Sequence, residues 1–224
     1  MSKTVITFSR QFGSGGSQVG QLVAARLGLK YADREILRRA AEAMGSDEAR
    51  LARHEERVSP LWARILCMFS TVSADAVYVP PEPGTPPEEQ VFTIENQIIR
   101  SIAQREDCVI VGRGAAQVLH DHPGVFRVFL YAPLEFRIRR VMVIYHAPNR
   151  ERARAMIEQH DHERERFGKR MFGVDWLCAT NYHLCVDTSS LPLPKIAELI
   201  VGFVEQIRQA ATTESLKESC DDQL

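Results

Sequence analysis

The chain has 224 residues, a formal net charge of −1, 45% hydrophobic and 25% charged residues. That length holds one α/β core with an insert, and the near-neutral charge leaves no electrostatic footprint for nucleic acid. Its cysteines, Cys67, Cys108, Cys178, Cys185 and Cys220, are odd in number and lack C-x-x-C spacing, which argues against a zinc site or a disulfide framework and fits a reducing, cytoplasmic setting.

In chain order, Met1–Thr4 lacks the apolar core of a signal peptide, and Thr4–Phe8 predicts a short buried strand. A glycine-rich loop follows, then Val19, Leu22, Val23, Ala24 and Leu27 recur at helical spacing, with Gly28 as the stop. Tyr31-Ala32-Asp33 predicts a short connection, and a second helix is predicted from about Arg34 to Met44. Residues 46–79 predict two helical pieces with a break near Ser59-Pro60. Their most apolar stretch contains Arg64 and Asp75, a poor membrane span. Leu61, Trp62, Ile65, Leu66, Met68 and Phe69 within it predict core or a contact between copies of the chain, as in a homo-oligomer. Pro80–Pro87 predicts an exposed loop.

Glu88–Arg105 predicts a helix with Val91, Ile94, Ile98 and Ile102 on one face. Cys108–Val111 predicts a buried strand ending in Gly112-Arg113-Gly114, and Phe126–Tyr131 another, followed by a helix to about Tyr145. An Arg-rich helix is predicted from about Asn149 to Arg170, a last strand at His183–Asp187, and a closing helix from Pro194 to about Ala210. The polar end, Thr212–Leu224, predicts disorder. Strands alternating with helices predict a three-layer α/β domain around a parallel sheet, spanning 1–210, with a tail at 211–224.

The chemistry is concentrated in Ser9-Arg10-Gln11-Phe12-Gly13-Ser14-Gly15-Gly16-Ser17. Phosphate needs many N–H donors and a positive dipole end, and glycines let backbone wrap closely around it at a helix start. Against the P-loop pattern G-x-x-x-x-G-K-S/T the segment matches at Gly15 and Ser17, but has Arg10 for the first glycine and Gly16 for the lysine. Arg10 could supply the lost charge, and Ser17 is the candidate magnesium ligand. A dinucleotide fingerprint fits at Gly13 and Gly15, with Asp33 suitably placed for a ribose, but fails at Gln18. A bare strand-to-helix turn would not need so many glycines and serines. The basic residues are 23 Arg and 5 Lys. Arg grips phosphate as a bidentate fork, although a GC-rich genome gives the same bias. Arg150, Arg152 and Arg154 are expected on solvated helix faces.

Over about residues 4–200, and most specifically from Val5 to Gly28 and from Val109 to Arg140, the chain resembles the cytidylate kinases, and most closely the branch with Ser-Arg-x-Phe-Gly-Ser-Gly-Gly in place of the standard loop. The resemblance implies a P-loop kinase fold with a helical lid at 149–172; where the family has a small inserted acceptor-binding sheet, this chain's sequence predicts a helical insert at 46–105. It implies ATP and Mg²⁺ as cofactors, and transfer of the γ-phosphoryl group to a nucleoside monophosphate such as CMP or dCMP. Arg10, Gly13, Ser14, Gly15, Gly16 and Ser17 would then hold donor phosphates. Asp33, Arg39, Arg113 and Asp161 would bind the acceptor, and Arg137, Arg140 and Arg164 would neutralise charge during transfer. Asp187-Thr188 matches the end of the family's last strand. The chain departs from the family at the lysine, at Arg34 after the acceptor aspartate, and at Gly114 where an aspartate is usual. A nucleotide-binding module with little or no kinase activity is the alternative expectation.

Overall fold

The computed structural model describes residues 3–33 and 88–221. The helix expected at Arg34–Met44, most of the insert, and Arg39 lie outside the described residues. In chain order the elements are β1 (Val5–Arg10), α1 (Gly16–Leu27), β2 (Lys30–Ala32), α2 (Glu88–Arg105), β3 (Cys108–Val111), α3 (Ala115–Val118), β4 (Val125–Tyr131), α4 (Leu134–Ile144), α5 (Arg150–Phe172), β5 (Leu184–Asp187) and α6 (Leu193–Asp221).

The strands form one five-stranded sheet in the order β2-β3-β1-β4-β5, and every pairing is parallel. β1 lies at its centre and is buried on both faces, as a strand covered by helices on two sides is. Ile6 and Phe8 face one way and pack with Val19 and Val23 of α1 and Ile196 and Ile200 of α6. Val5 faces the other way and packs with Ile98, Ile99 and Ile102 of α2. The order reverses at β1, so the crevice beyond its C-terminal end is where an open α/β sheet binds ligands.

A short strand and the end of the last helix depart from the expectation. Lys30–Ala32 is a strand rather than a connection, in register with Cys108–Ile110. It has too few residues to show alternation, and its partner β3 is distant in sequence. Polar contacts fix it at its start: Lys30 N–H donates to the Asp107 carbonyl at 3.1 Å, and its ammonium sits 3.2 Å from Glu106. The closing helix also runs past Ala210 to Asp221. The stretch has no Gly or Pro stop, and Ala211, Glu214, Leu216 and Lys217 are good helix formers. The long helix α5 starts where its sequence predicts, because the Asn149 side chain accepts from Arg152 N–H at 2.8 Å.

Cysteine environments differ sharply. Burial pushes the Cys108 thiol up to about 12, whereas a hydrogen bond with Thr180 holds the exposed Cys178 below its ordinary value. Burial also raises Cys185. Thiolate is the reactive form, so iodoacetamide at neutral pH is expected to label Cys178 ahead of Cys185, with Cys108 unlabelled until unfolding. Peptide mapping of the alkylated protein checks this order. Among the described residues no helix is long and apolar enough to cross a membrane.

Candidate functional site

The glycine-rich loop joins β1 to α1 at the centre of the sheet's C-terminal edge. Gly13 and Gly15 have φ of +81° and +84°, a left-handed conformation that side chains resist. Neither has room for one. A Cβ on Gly13 would lie 2.9 Å from Val141 Cγ2, and one on Gly15 would lie 2.9 Å from Leu193 Cδ1. The first intrahelical bond of α1 is Val19 N–H to the Gly15 carbonyl at 3.0 Å. The amides of Gly16, Ser17 and Gln18 therefore precede the helical ladder and are the donors a helix start offers to an anion. Three amides, a dipole end and glycines too tightly packed to be anything else fit a phosphate.

The loop is held from three sides. Beneath it, Ser14 Oγ donates to the Gln11 carbonyl at 2.8 Å, and Gln11 Oε1 accepts from Ala132 N–H at 3.2 Å. Thr188, fully buried after β5, places its hydroxyl 2.7 Å from the Ser14 carbonyl and 3.1 Å from that of Tyr131. Replacing Thr188 by the isosteric valine strips a buried carbonyl of its donor. The expected cost is about 1–3 kcal/mol, with weaker nucleotide binding; thermal melting with and without ATP measures both.

The third anchor comes from α4 and α5. Asp161 Oδ1 accepts from Phe12 N–H at 2.8 Å, and its Oδ2 lies 2.5 Å from Arg137 Nη1. Arg137 is 8% exposed. It also donates from Nε to the Ala132 carbonyl at 3.0 Å and from Nη1 to the Phe12 carbonyl at 3.3 Å. Arg164 Nη1 reaches Asp161 Oδ1 at 3.3 Å and the His160 carbonyl at 3.2 Å. The Phe12 ring sits 4.3 Å from the His160 ring and 4.8 Å from that of Tyr145, with the Arg164 guanidinium 5.8 Å over it. One carboxylate thus brings together Arg137, Arg164 and the loop, three features the sequence placed far apart.

Other predicted residues are distributed around this centre. Arg140 approaches the loop from α4: its Nη2 donates to Gln18 Oε1 at 2.8 Å, and its Nε would lie 3.2 Å from a Cβ on Gly15. Arg10 extends from the end of β1 across Gly16 toward Gly112. Ser17 is half-buried in the first turn of α1. Asp33 is buried just beyond β2. Arg150 is an exposed helix-face residue paired with Glu135, which its hydrogen bond holds below the ordinary carboxylate range. Among the described residues no group of three His, Cys, Asp or Glu could hold a metal ion. A magnesium bound chiefly through phosphates, water and a hydroxyl would not need one.

Arg113 sits in a strained turn. Its φ of +54° lies between those of Gly112 (+86°) and Gly114 (+65°), a sparsely populated region for a side-chain-bearing residue. Its guanidinium lies 3.0 Å from Glu95 Oε1, with side-chain exposures of 16% and 1%. Phe172 and Phe167 at the end of α5 occupy the space where a Gly114 Cβ would project, and both meet Phe92 of α2 edge-on at 5.5 Å. Sequence reasoning missed Glu95. Its signal was available, since Ile98, Ile99 and Ile102 follow it at helical spacing and mark it as a charge on an apolar stripe. Phe12 belongs to the loop motif but had no role assigned to it, and the three-phenylalanine cluster carried no motif.

A five-stranded parallel sheet with helices on both faces and a glycine loop at its centre defines an α/β domain of P-loop kinase type, the architecture of a phosphotransferase. A family model described as the cytidylate kinase-like family matches residues 5–190, and the chain belongs to that family. No curated protein matches the chain. Among solved structures, an uncharacterized protein from Eubacterium ventriosum is similar at TM-score 0.67 and 18% identity, covering 91% of this chain and 99% of that one. A gluconokinase from Sinorhizobium meliloti is similar at TM-score 0.51 and 13% identity, covering 96% and 98%. Both likenesses are of fold.

Proposed function

We propose that the protein transfers the γ-phosphoryl group of MgATP to a nucleoside monophosphate, with CMP or dCMP the preferred acceptor. The observation that carries this reading is the Asp161 junction, which ties the phosphate loop to the arginine-bearing helices at a single carboxylate. Transfer of a phosphoryl group is chiefly positioning and charge neutralisation, and such a junction serves both. Bound MgATP would supply the transferable group. The loop from Gly13 to Ser17 would wrap its phosphates, with the amides of Gly16, Ser17 and Gln18 as donors, and the Ser17 hydroxyl would hold its magnesium. Arg140 and Arg164 would neutralise charge there. Arg137, buried and occupied by Asp161 and the carbonyls of Phe12 and Ala132, acts as a positioning residue. Asp33, Arg39 and Arg113 remain the acceptor side. Helix α5 covers the loop as a lid and would keep water from competing with the acceptor.

The test is ADP release measured across CMP, dCMP, UMP, AMP, GMP, shikimate and gluconate. The expected result is turnover with monophosphates and the highest kcat/KM for CMP or dCMP. Turnover confined to shikimate or gluconate overturns the acceptor class. ATP binding without turnover on any acceptor overturns the kinase reading and leaves a nucleotide-binding module.

A further inference from the structure

The loop departs from the P-loop pattern at two positions, Arg10 and Gly16, and in the fold these two positions touch. A Cβ on Gly16 would lie 2.7 Å from Arg10 Cβ, 2.9 Å from its Cγ and 3.4 Å from its Cδ. Non-bonded carbons do not pack so closely, so the stem of Arg10 fills the volume from which a residue-16 side chain would start. The same side chain ends at Gly112, where its Nη1 and Cζ occupy the place of a Cβ. Arg10 therefore lies over two glycines, one in the phosphate loop and one in the turn that presents Arg113.

A lysine at 16 would need an empty position at 10, and the standard pattern has glycine there. We propose that Arg10 and Gly16 are a transposed pair. The cation that ordinarily stands at the helix start stands here at the strand end, and the glycine has moved the other way. Arg10 then supplies the charge for the donor phosphates from between the loop and the Gly112 turn, with a fork able to make two bonds where a lysine makes a point contact. Gly16 is a glycine because the stem of Arg10 lies on it, whereas Gly112, whose φ of +86° already favours glycine, leaves the space that the Arg10 guanidinium fills. This proposal rests on the reading of the loop as a phosphate site.

The test uses wild type, Gly16→Lys, Arg10→Gly and the double variant, which restores G-Q-F-G-S-G-K-S, with Gly16→Ala as a milder probe in both backgrounds. Two quantities are measured: melting temperature without ligand, and affinity for MgATP and for tripolyphosphate by calorimetry. Gly16→Ala is expected to lower the melting temperature by several degrees when Arg10 is present and hardly at all in the Arg10→Gly background. Arg10→Gly alone is expected to weaken both ligands by roughly tenfold or more, and the double variant to recover most of that loss. Wild-type binding with no recovery in the double variant, or equal melting effects in both backgrounds, overturns the pair alone. Absence of binding by wild type overturns the phosphate reading and the charge role of Arg10 together.

Discussion

Asp161→Ala is expected to destabilise the protein by about 3 kcal/mol, because it leaves the buried Arg137 guanidinium without its counter-charge. For a chain of this size that is a fall in melting temperature on the order of 10 °C. The magnitude is set by burial: the Arg137 and Asp161 side chains are 9% and 18% exposed, too dry for water to replace the lost partner. Arg137 keeps the Ala132 and Phe12 carbonyls, which places the cost at the lower end for a broken buried pair. The same change releases Phe12 N–H and so frees the loop from α5. Displacement of a positioned group by about 1 Å costs on the order of a hundredfold in rate, so kcat is expected to fall by roughly that factor. Asp161→Asn keeps an acceptor for Phe12 and is expected to fall between the two. Combining Arg137→Met with Asp161→Leu removes both charges and is expected to recover stability without activity. Thermal melting and steady-state kinetics on the three variants check the series, and a melting temperature for Asp161→Ala within 2 °C or so of wild type contradicts it.

The second large effect is expected at Arg113. Arg113→Met leaves Glu95, 1% exposed, as a buried carboxylate stripped of its arginine, at a cost of about 3–5 kcal/mol. Backbone strain separates this cost from simple loss of packing. Arg113 holds a φ of +54°, which a non-glycine residue maintains at about 1–2 kcal/mol. Arg113→Gly relieves that strain while losing the same ion pair. It is therefore expected to be the more stable of the two variants, despite removing more side chain. Adding Glu95→Leu to Arg113→Met should restore much of the loss. Urea unfolding of the single and double variants measures the coupling; additive losses would show that the pair carries none.

The parts of this fold legible in the sequence are those whose causes are local. β1, the glycine loop and α1 are contiguous, and their apolar spacing, glycines and stop at Gly28 all act within a few residues. The Asn149 cap and α5 were legible for the same reason. β2 was not, because only its pairing to β3 and its contacts with Glu106 and Asp107 make it a strand. The site divides in the same way. The loop and its mismatch with the lysine pattern could be counted off directly, but the contact between Arg10 and Gly16 depends on how the loop folds back. Arg137 and Asp161 looked like two separate ligand-binding residues. Only the packing of α4 against α5 shows them to be partners holding Phe12, and that gives Arg137 a positioning task. Glu95 stood in plain view on an apolar stripe, and its meaning appears only when β3 brings Arg113 beside it.

The central claim, that residues 9–17 cradle the phosphates of a nucleotide, is tested most directly by a crystal structure of the protein with magnesium and a non-hydrolysable ATP analogue. The expected result is a triphosphate on the amides of Gly16, Ser17 and Gln18 with the Arg10 guanidinium in contact with it. A nucleotide bound elsewhere on the chain, with those amides facing solvent, would contradict it.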